Sequence, residues 1–147
     1  MAVDFELSSS EKVILAADTV ITTNIANISF GGWINAEGWV SGSTIINNGY
    51  GGGSGRGYML QQVVSGGNNR VRADISFVGA VVSTTNLVTG TWYHILATRG
   101  ASTWNIYVNG TSEATDTHSP NSISGESETV IGARKPAESA SALGFDL

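Results

Sequence analysis

The sequence contains no cysteine, two prolines and few charges, and each shortage excludes something. Without cysteine there is no disulfide framework and no thiolate metal site. Charged residues make up 13% of the chain and the net charge is −5. Nucleic acid is not an expected partner, because its phosphates must be neutralised by Lys and Arg. The seven basic residues are scattered, with only Arg134 and Lys135 adjacent. No apolar run approaches the roughly 20 residues that span a bilayer, so membrane insertion is not expected either. The first residues, "MAVDFELSSSEK", show no basic segment leading into an apolar one and do not read as a secretory signal. Helical periodicity is nearly missing too. Its best candidate, "SEKVILAADT", lacks a sustained i, i+3, i+4, i+7 pattern, and Lys12–Ala16 reads as a short strand before a turn.

What the chain does have is glycine, serine, threonine, asparagine and valine, a composition suited to strands joined by many turns. Its 41% hydrophobic content argues against global disorder. At 147 residues it fits one domain, 1–147, burying roughly 70% of its unfolded surface. In "NISFGGWIN", Ile28, Phe30, Gly32 and Ile34 share one face, while Ser29, Gly31, Trp33 and Asn35 share the other. In "STWNIYVNG", Trp104, Ile106 and Val108 alternate with Thr103, Asn105 and Tyr107. Period-2 alternation marks strands packed on one face. Asn109-Gly110 then predicts a type I′ hairpin turn, since both residues tolerate positive φ. Further strands are expected near 3–7, 43–47, 57–64, 70–78, 80–83, 92–99 and 127–132, and the polar segment 112–128 as one long surface loop. The fold class is all-β: a two-sheet antiparallel sandwich or jelly roll.

The run "NNGYGGGSGRGYML" at 47–60 holds six glycines, two tyrosines and one arginine. Strand signals continue on both sides, so it reads as a loop within one domain rather than a linker. With no Gly-Lys-Ser/Thr ending it is not a phosphate loop. Three other segments, "VDFELSSSEKVIL", "NISFGGWINAEGW" and "GTWYHILATRGASTWNIYVNGT", carry a resemblance in this order. They resemble the LamG-like members of the concanavalin A-like lectin/glucanase superfamily, and "ETVIGAR" is similar to the strand that follows there. The resemblance covers nearly the whole chain and implies a jelly roll of two curved antiparallel sheets. Two departures stand out. The family's Gly-x-Ile-Asp-Glu strand falls where this chain reads "ALGFDL", so the last strand is either missing or reduced to Phe145-Asp146-Leu147. Glu6-Leu7 replaces the Asp-Gly common in the family, which leaves calcium binding open and its ligands unassigned.

The glycosidases of that superfamily use closely spaced carboxylates on one strand, and no such motif appears. Glu126-Ser127-Glu128 is nearest, and the solvated-loop reading outweighs catalysis there. His94, between large apolar residues, reads as a framework position. Trp92 and Trp104 are expected in the core, while Trp33, facing away from Ile28, Phe30 and Ile34, either packs against another layer in a structural role or lies exposed, the structural role being favoured. Trp39, in "NAEGWVSGS", either caps the core edge or stands exposed. Sugars offer apolar C–H faces to aromatic rings and hydroxyls to planar polar groups. The expected ligand rim is therefore Trp39, Tyr50, Arg56 and Tyr58. Two functions follow: a non-catalytic, glycan-binding recognition or adhesion module, or a decoration protein of a phage capsid or tail working through protein contacts. Both imply an extracellular or virion surface. A glycoside hydrolase is the weakest reading.

Overall fold

The computed structural model describes residues 4–5, 12–15, 27–48, 57–75, 79–100, 102–117, 128–132 and 145–146. The elements in chain order are β1 (Asp4–Phe5), β2 (Val13–Leu15), β3 (Ile28–Ala36), β4 (Thr44–Asn48), β5 (Tyr58–Ser65) and β6 (Asn68–Ile75). They continue with β7 (Gly79–Val82), β8 (Trp92–Arg99), β9 (Thr103–Val108), β10 (Thr111–Thr117), β11 (Thr129–Ile131) and β12 (Phe145–Asp146). They form two six-stranded sheets, ordered β1-β12-β3-β8-β9-β10 and β2-β11-β4-β5-β6-β7. Every pairing is antiparallel. Among the described residues no helix is long and apolar enough to cross a membrane, which says nothing of a β-barrel.

The core lies between the sheets. The first sheet contributes Phe30, Ile34, Ile95, Ala97, Trp104 and Ile106, and the second Ile45, Leu60, Val71, Ala73 and Val81. These are the alternate residues of their strands, as period 2 requires of a sandwich interior. Phe30 links the two layers: its ring lies 4.7 Å from Tyr58 of the second sheet and 6.2 Å, edge-on, from Trp104 beside it. Trp104 is 1% exposed, as its alternation predicts.

Local chemistry sets the turns and the close approaches. Asn109 and Gly110 adopt φ of 50° and 80°, and Val108 opposes Thr111 across the predicted hairpin. The Asn109 side chain accepts from His94 N at 2.9 Å and its backbone N–H donates to His94 O at 2.8 Å. Gly31 is required for another reason: a Cβ there would stand 2.1 Å from the Ile95 carbonyl oxygen.

Two expectations need correction, and one open alternative is decided. Residues 112–128 are not one loop, because β10 occupies Thr111–Thr117 and the segment 118–127 lies outside the described residues. β10 is an exposed edge strand and carries no apolar alternation to announce it. Of the two alternatives for the last strand, the reduced one holds at Phe145-Asp146. Phe145 and Asp146 pair with Phe5 and Asp4 on one side and with Ala36 and Asn35 on the other. Trp92 is not core; it opens β8 on the outer face at 41% exposure. The glycine-rich run, by contrast, joins two adjacent strands of one sheet, with Asn48 directly opposite Tyr58 at its base.

Candidate functional site

The expected rim is not brought together by the described residues. Tyr50 and Arg56 lie outside them. Trp39 is half-buried against the core, beside Val40, whose N–H donates to Gln62 Oε1 at 3.3 Å, so it caps the core edge. Tyr58 is not an exposed ring. It belongs to β5, points between the sheets and is 3% exposed. Burial pushes its phenol pKa up, partly opposed by a hydrogen bond with Thr129, so it stays neutral. Tyr58 instead lines a cleft of about 440 Å³ beside β3, together with Leu15, Ile28, Phe30, Thr129 and Ile131. Asn48 Nδ2 donates to Thr129 Oγ1 at 2.9 Å nearby.

A different set of residues does converge. On the outer face of the first sheet, Asn35 opposes Trp92, Trp33 opposes His94, and Leu96 stands between Gly31 and Tyr107. Trp33 is 57% exposed; its ring centroid lies 5.3 Å from that of His94, tilted by 59°. Trp33 and Trp92 occupy neighbouring rows of adjacent strands, a diagonal spacing of about 7–8 Å between backbones. The face is therefore an aromatic surface with amide and imidazole groups at its borders. Aromatic faces of this kind take up apolar C–H surfaces, and the amides supply hydrogen bonds at the edge.

The sequence held the signal for this face. In "WYHILATR" the inward set is Tyr93, Ile95, Ala97 and Arg99, which fixes Trp92, His94, Leu96 and Thr98 as the outward set. Phase alone already puts Trp33 on the face away from Phe30 and Ile34; Trp92, read by its hydrophobicity rather than by its phase, is the half of the face left concealed.

Two of the described carboxylates, Asp74 and Glu113, tie strands and loops together. Asp74 is buried, in an ion pair with Arg72 Nη2 at 2.5 Å, and accepts from Gln61 Nε2 at 2.7 Å. Glu113 on β10 accepts from Thr84 N at 2.8 Å and Thr85 N at 3.0 Å and is also bonded to the Thr85 hydroxyl. Burial works against its ionisation, but these hydrogen bonds outweigh it and hold the carboxyl below its ordinary value. Glu128 is exposed, while Glu126 and Ser127 lie outside the described residues, as does His118. Among the described residues, no group of three or more His, Asp or Glu stands close enough to hold a metal ion.

A family model described as the concanavalin A-like lectin/glucanases superfamily matches residues 7–145. Among solved structures, the mouse laminin α1 chain, domains LG4-5, superposes with a TM-score of 0.74 at 15% identity, covering 99% of this chain and 40% of that one. A native heptameric SAP-like pentraxin from Limulus polyphemus gives 0.66 at 14% identity, covering 92% and 71%. The CBM40 of a Ruminococcus gnavus sialidase, bound to α2,3-sialyllactose, gives 0.61 at 10% identity, covering 98% and 89%. At these identities the likeness is one of fold, and this chain spans well under half of the laminin chain. No curated protein matches in sequence.

Proposed function

We propose that this chain, which belongs to the concanavalin A-like lectin/glucanase superfamily, acts as a single non-catalytic recognition domain over 1–147 that binds glycan. The observation that carries this reading is the pair of exposed tryptophans, Trp33 and Trp92, on one sheet face. A pyranose ring stacks its C–H face on an indole, and its equatorial hydroxyls then reach the side chains of Asn35, His94 and Tyr107. Rigid aromatic side chains lose little conformational entropy on binding, which suits them to such contacts. The sialyllactose complex of the Ruminococcus gnavus module supports the same reading on a similar fold.

A glycan array, followed by calorimetry on any hit with and without calcium, tests it. Binding that Trp33→Ala or Trp92→Ala removes is the expected outcome. An empty array in both conditions overturns it. A calcium requirement would show as binding heat seen only with calcium present.

A second reading takes the same exposed tryptophans as a protein contact on a virion or cell surface. Aromatic residues are favoured at the centres of protein interfaces too. Symmetric copies of the chain on imaged particles, lost with Trp33→Ala, would favour decoration of a capsid or tail over glycan recognition. Hydrolysis is the weakest reading, and a reducing-sugar assay on β-glucans checks it.

A further inference from the structure

Trp33 and Trp92 occupy one end of a longer face. Along β8 the outward residues after Trp92 are His94, Leu96 and Thr98, each half-buried. Thr98 therefore lies about 20 Å along the extended strand from Trp92. The far end is a polar row: Ser29, Thr98, Asn105 and Thr115 stand side by side on β3, β8, β9 and β10. Midway, Gly31 is exposed beside Leu96, and without a side chain it keeps β3 low between the two ends. Thr115 Oγ1 donates to Asn105 Oδ1 at 2.7 Å, which fixes the Asn105 Nδ2 hydrogens as the donors it offers a ligand.

The charges of the sheet turn away from this face. Arg99 is the only lysine or arginine in β3, β8, β9 and β10, and its phase points it inward, to 3% exposure. Glu113 is held by Thr84 and Thr85, and Asp116 opposes the buried Trp104. Beyond Asn35 the neighbouring strands carry Asp146 and Asp4, and Glu37 follows the end of β3. These border residues are all acidic. Carboxylates and sulfates are recognised by guanidinium or ammonium groups, and these strands turn neither toward the face.

We propose that the ligand of this face is a neutral, linear oligosaccharide lying along β3 and β8. One ring stacks on the tryptophans, and hydroxyls of sugars further along the chain bond to Ser29, Thr98 and Asn105. This rests on the glycan reading above and narrows it to a substrate class. A single sugar fills the tryptophan end and leaves the polar row to water. A chain engages both ends, and its added rings make contacts without a second loss of translational and rotational freedom. Sugar hydroxyls both donate and accept, so they match serine, threonine and asparagine with no charge to strip of water.

The test is calorimetry on the intact protein with cellotetraose, xylotetraose and mannotetraose. Glucose, xylose and mannose serve as the single-sugar controls, and tetragalacturonate as the acidic chain. A neutral tetrasaccharide should bind about tenfold or more tighter than its own monosaccharide, because only the chain reaches the polar row. Tetragalacturonate should bind at least about tenfold more weakly than the best neutral chain, its carboxylates facing an acidic border. Thr98→Val, nearly isosteric, and Asn105→Ala should each weaken the tetrasaccharide by about fivefold, the loss of one hydrogen bond. An unchanged Tm in these variants separates lost contacts from misfolding. Equal affinity for monosaccharide and tetrasaccharide, or unchanged binding in both variants, overturns the proposal and leaves the glycan reading standing. Tetragalacturonate binding as tightly as the best neutral chain does the same. No binding to any of these sugars also overturns it, and the glycan array then decides the broader reading separately.

Discussion

Trp33 and His94 stand directly opposite each other on β3 and β8, with their rings 5.3 Å apart. The imidazole supports one flank of the indole and leaves 57% of the tryptophan open to solvent. Asn109, in turn, clasps the backbone of His94 from both sides through its side chain and its N–H. The hairpin turn that the sequence announces thus fixes the strand on which the aromatic face is built.

Trp33→Ala and Trp92→Ala should each weaken glycan binding by about tenfold or more, a loss near 1.4 kcal/mol. Stability should shift by no more than about 0.5 kcal/mol, because neither ring is a core residue. Calorimetric titration and thermal melts on the same samples check both halves. Trp33→Phe keeps a stacking surface and should retain part of the affinity.

Gly31 and Gly32 are neighbours with opposite tolerances. Gly31→Ala would drive a Cβ into the Ile95 carbonyl, which lies within the β3–β8 ladder and cannot move alone. A loss of roughly 2–4 kcal/mol is expected, at the high end for point changes. Gly32→Ala meets no atom within 4 Å and should cost under about 1 kcal/mol. Urea denaturation of the two variants gives the comparison.

How far the sequence could be read depends on where burial left its mark. β8 and β9 were expected within a residue of their observed ends, because buried and outward residues alternate cleanly and Asn109-Gly110 closes the hairpin. β10 left no such mark, since an edge strand of threonine, serine and acidic residues has the composition of a loop. Tyr58 falls in the expected strand at 57–64 and also reads as an exposed rim residue, yet its ring points inward, opposite Asn48 ten positions earlier. Such a pairing is a non-local fact that composition does not carry. The aromatic face was legible in phase and missed in identity, because tryptophan reads as core until its neighbours fix the direction.

Among the described residues, Phe30 is the ring in contact with aromatic groups of both sheets, 4.7 Å from Tyr58 and 6.2 Å from Trp104. Phe30→Ala removes that bridge and opens a cavity, and should cost about 3–5 kcal/mol. Phe30→Leu keeps most of the volume and should cost roughly half as much or less. Urea midpoints at constant m-value measure the difference.

Glu113 ties the exposed edge strand β10 to Thr84 and Thr85, which follow β7 of the other sheet. Its folded pKa lies below the ordinary glutamate value because the charged form accepts these hydrogen bonds. A depressed folded pKa means that the folded state holds its proton less tightly than the unfolded state. The carboxylate's contribution is therefore complete above the unfolded value of about 4.3 and is lost as pH falls from there through the folded pKa. Glu113→Gln keeps an acceptor oxygen but not the charge, so it should be less stable than the parent at pH 7. Its stability should also fall less steeply below about pH 4.3, where only the parent loses this contribution. The gap in Tm between the two proteins should thus be widest near neutrality and narrow on acidification. A gap that stays constant from pH 7 to pH 3 would mean that the Glu113 charge contributes nothing and that packing alone joins β10 to the loop.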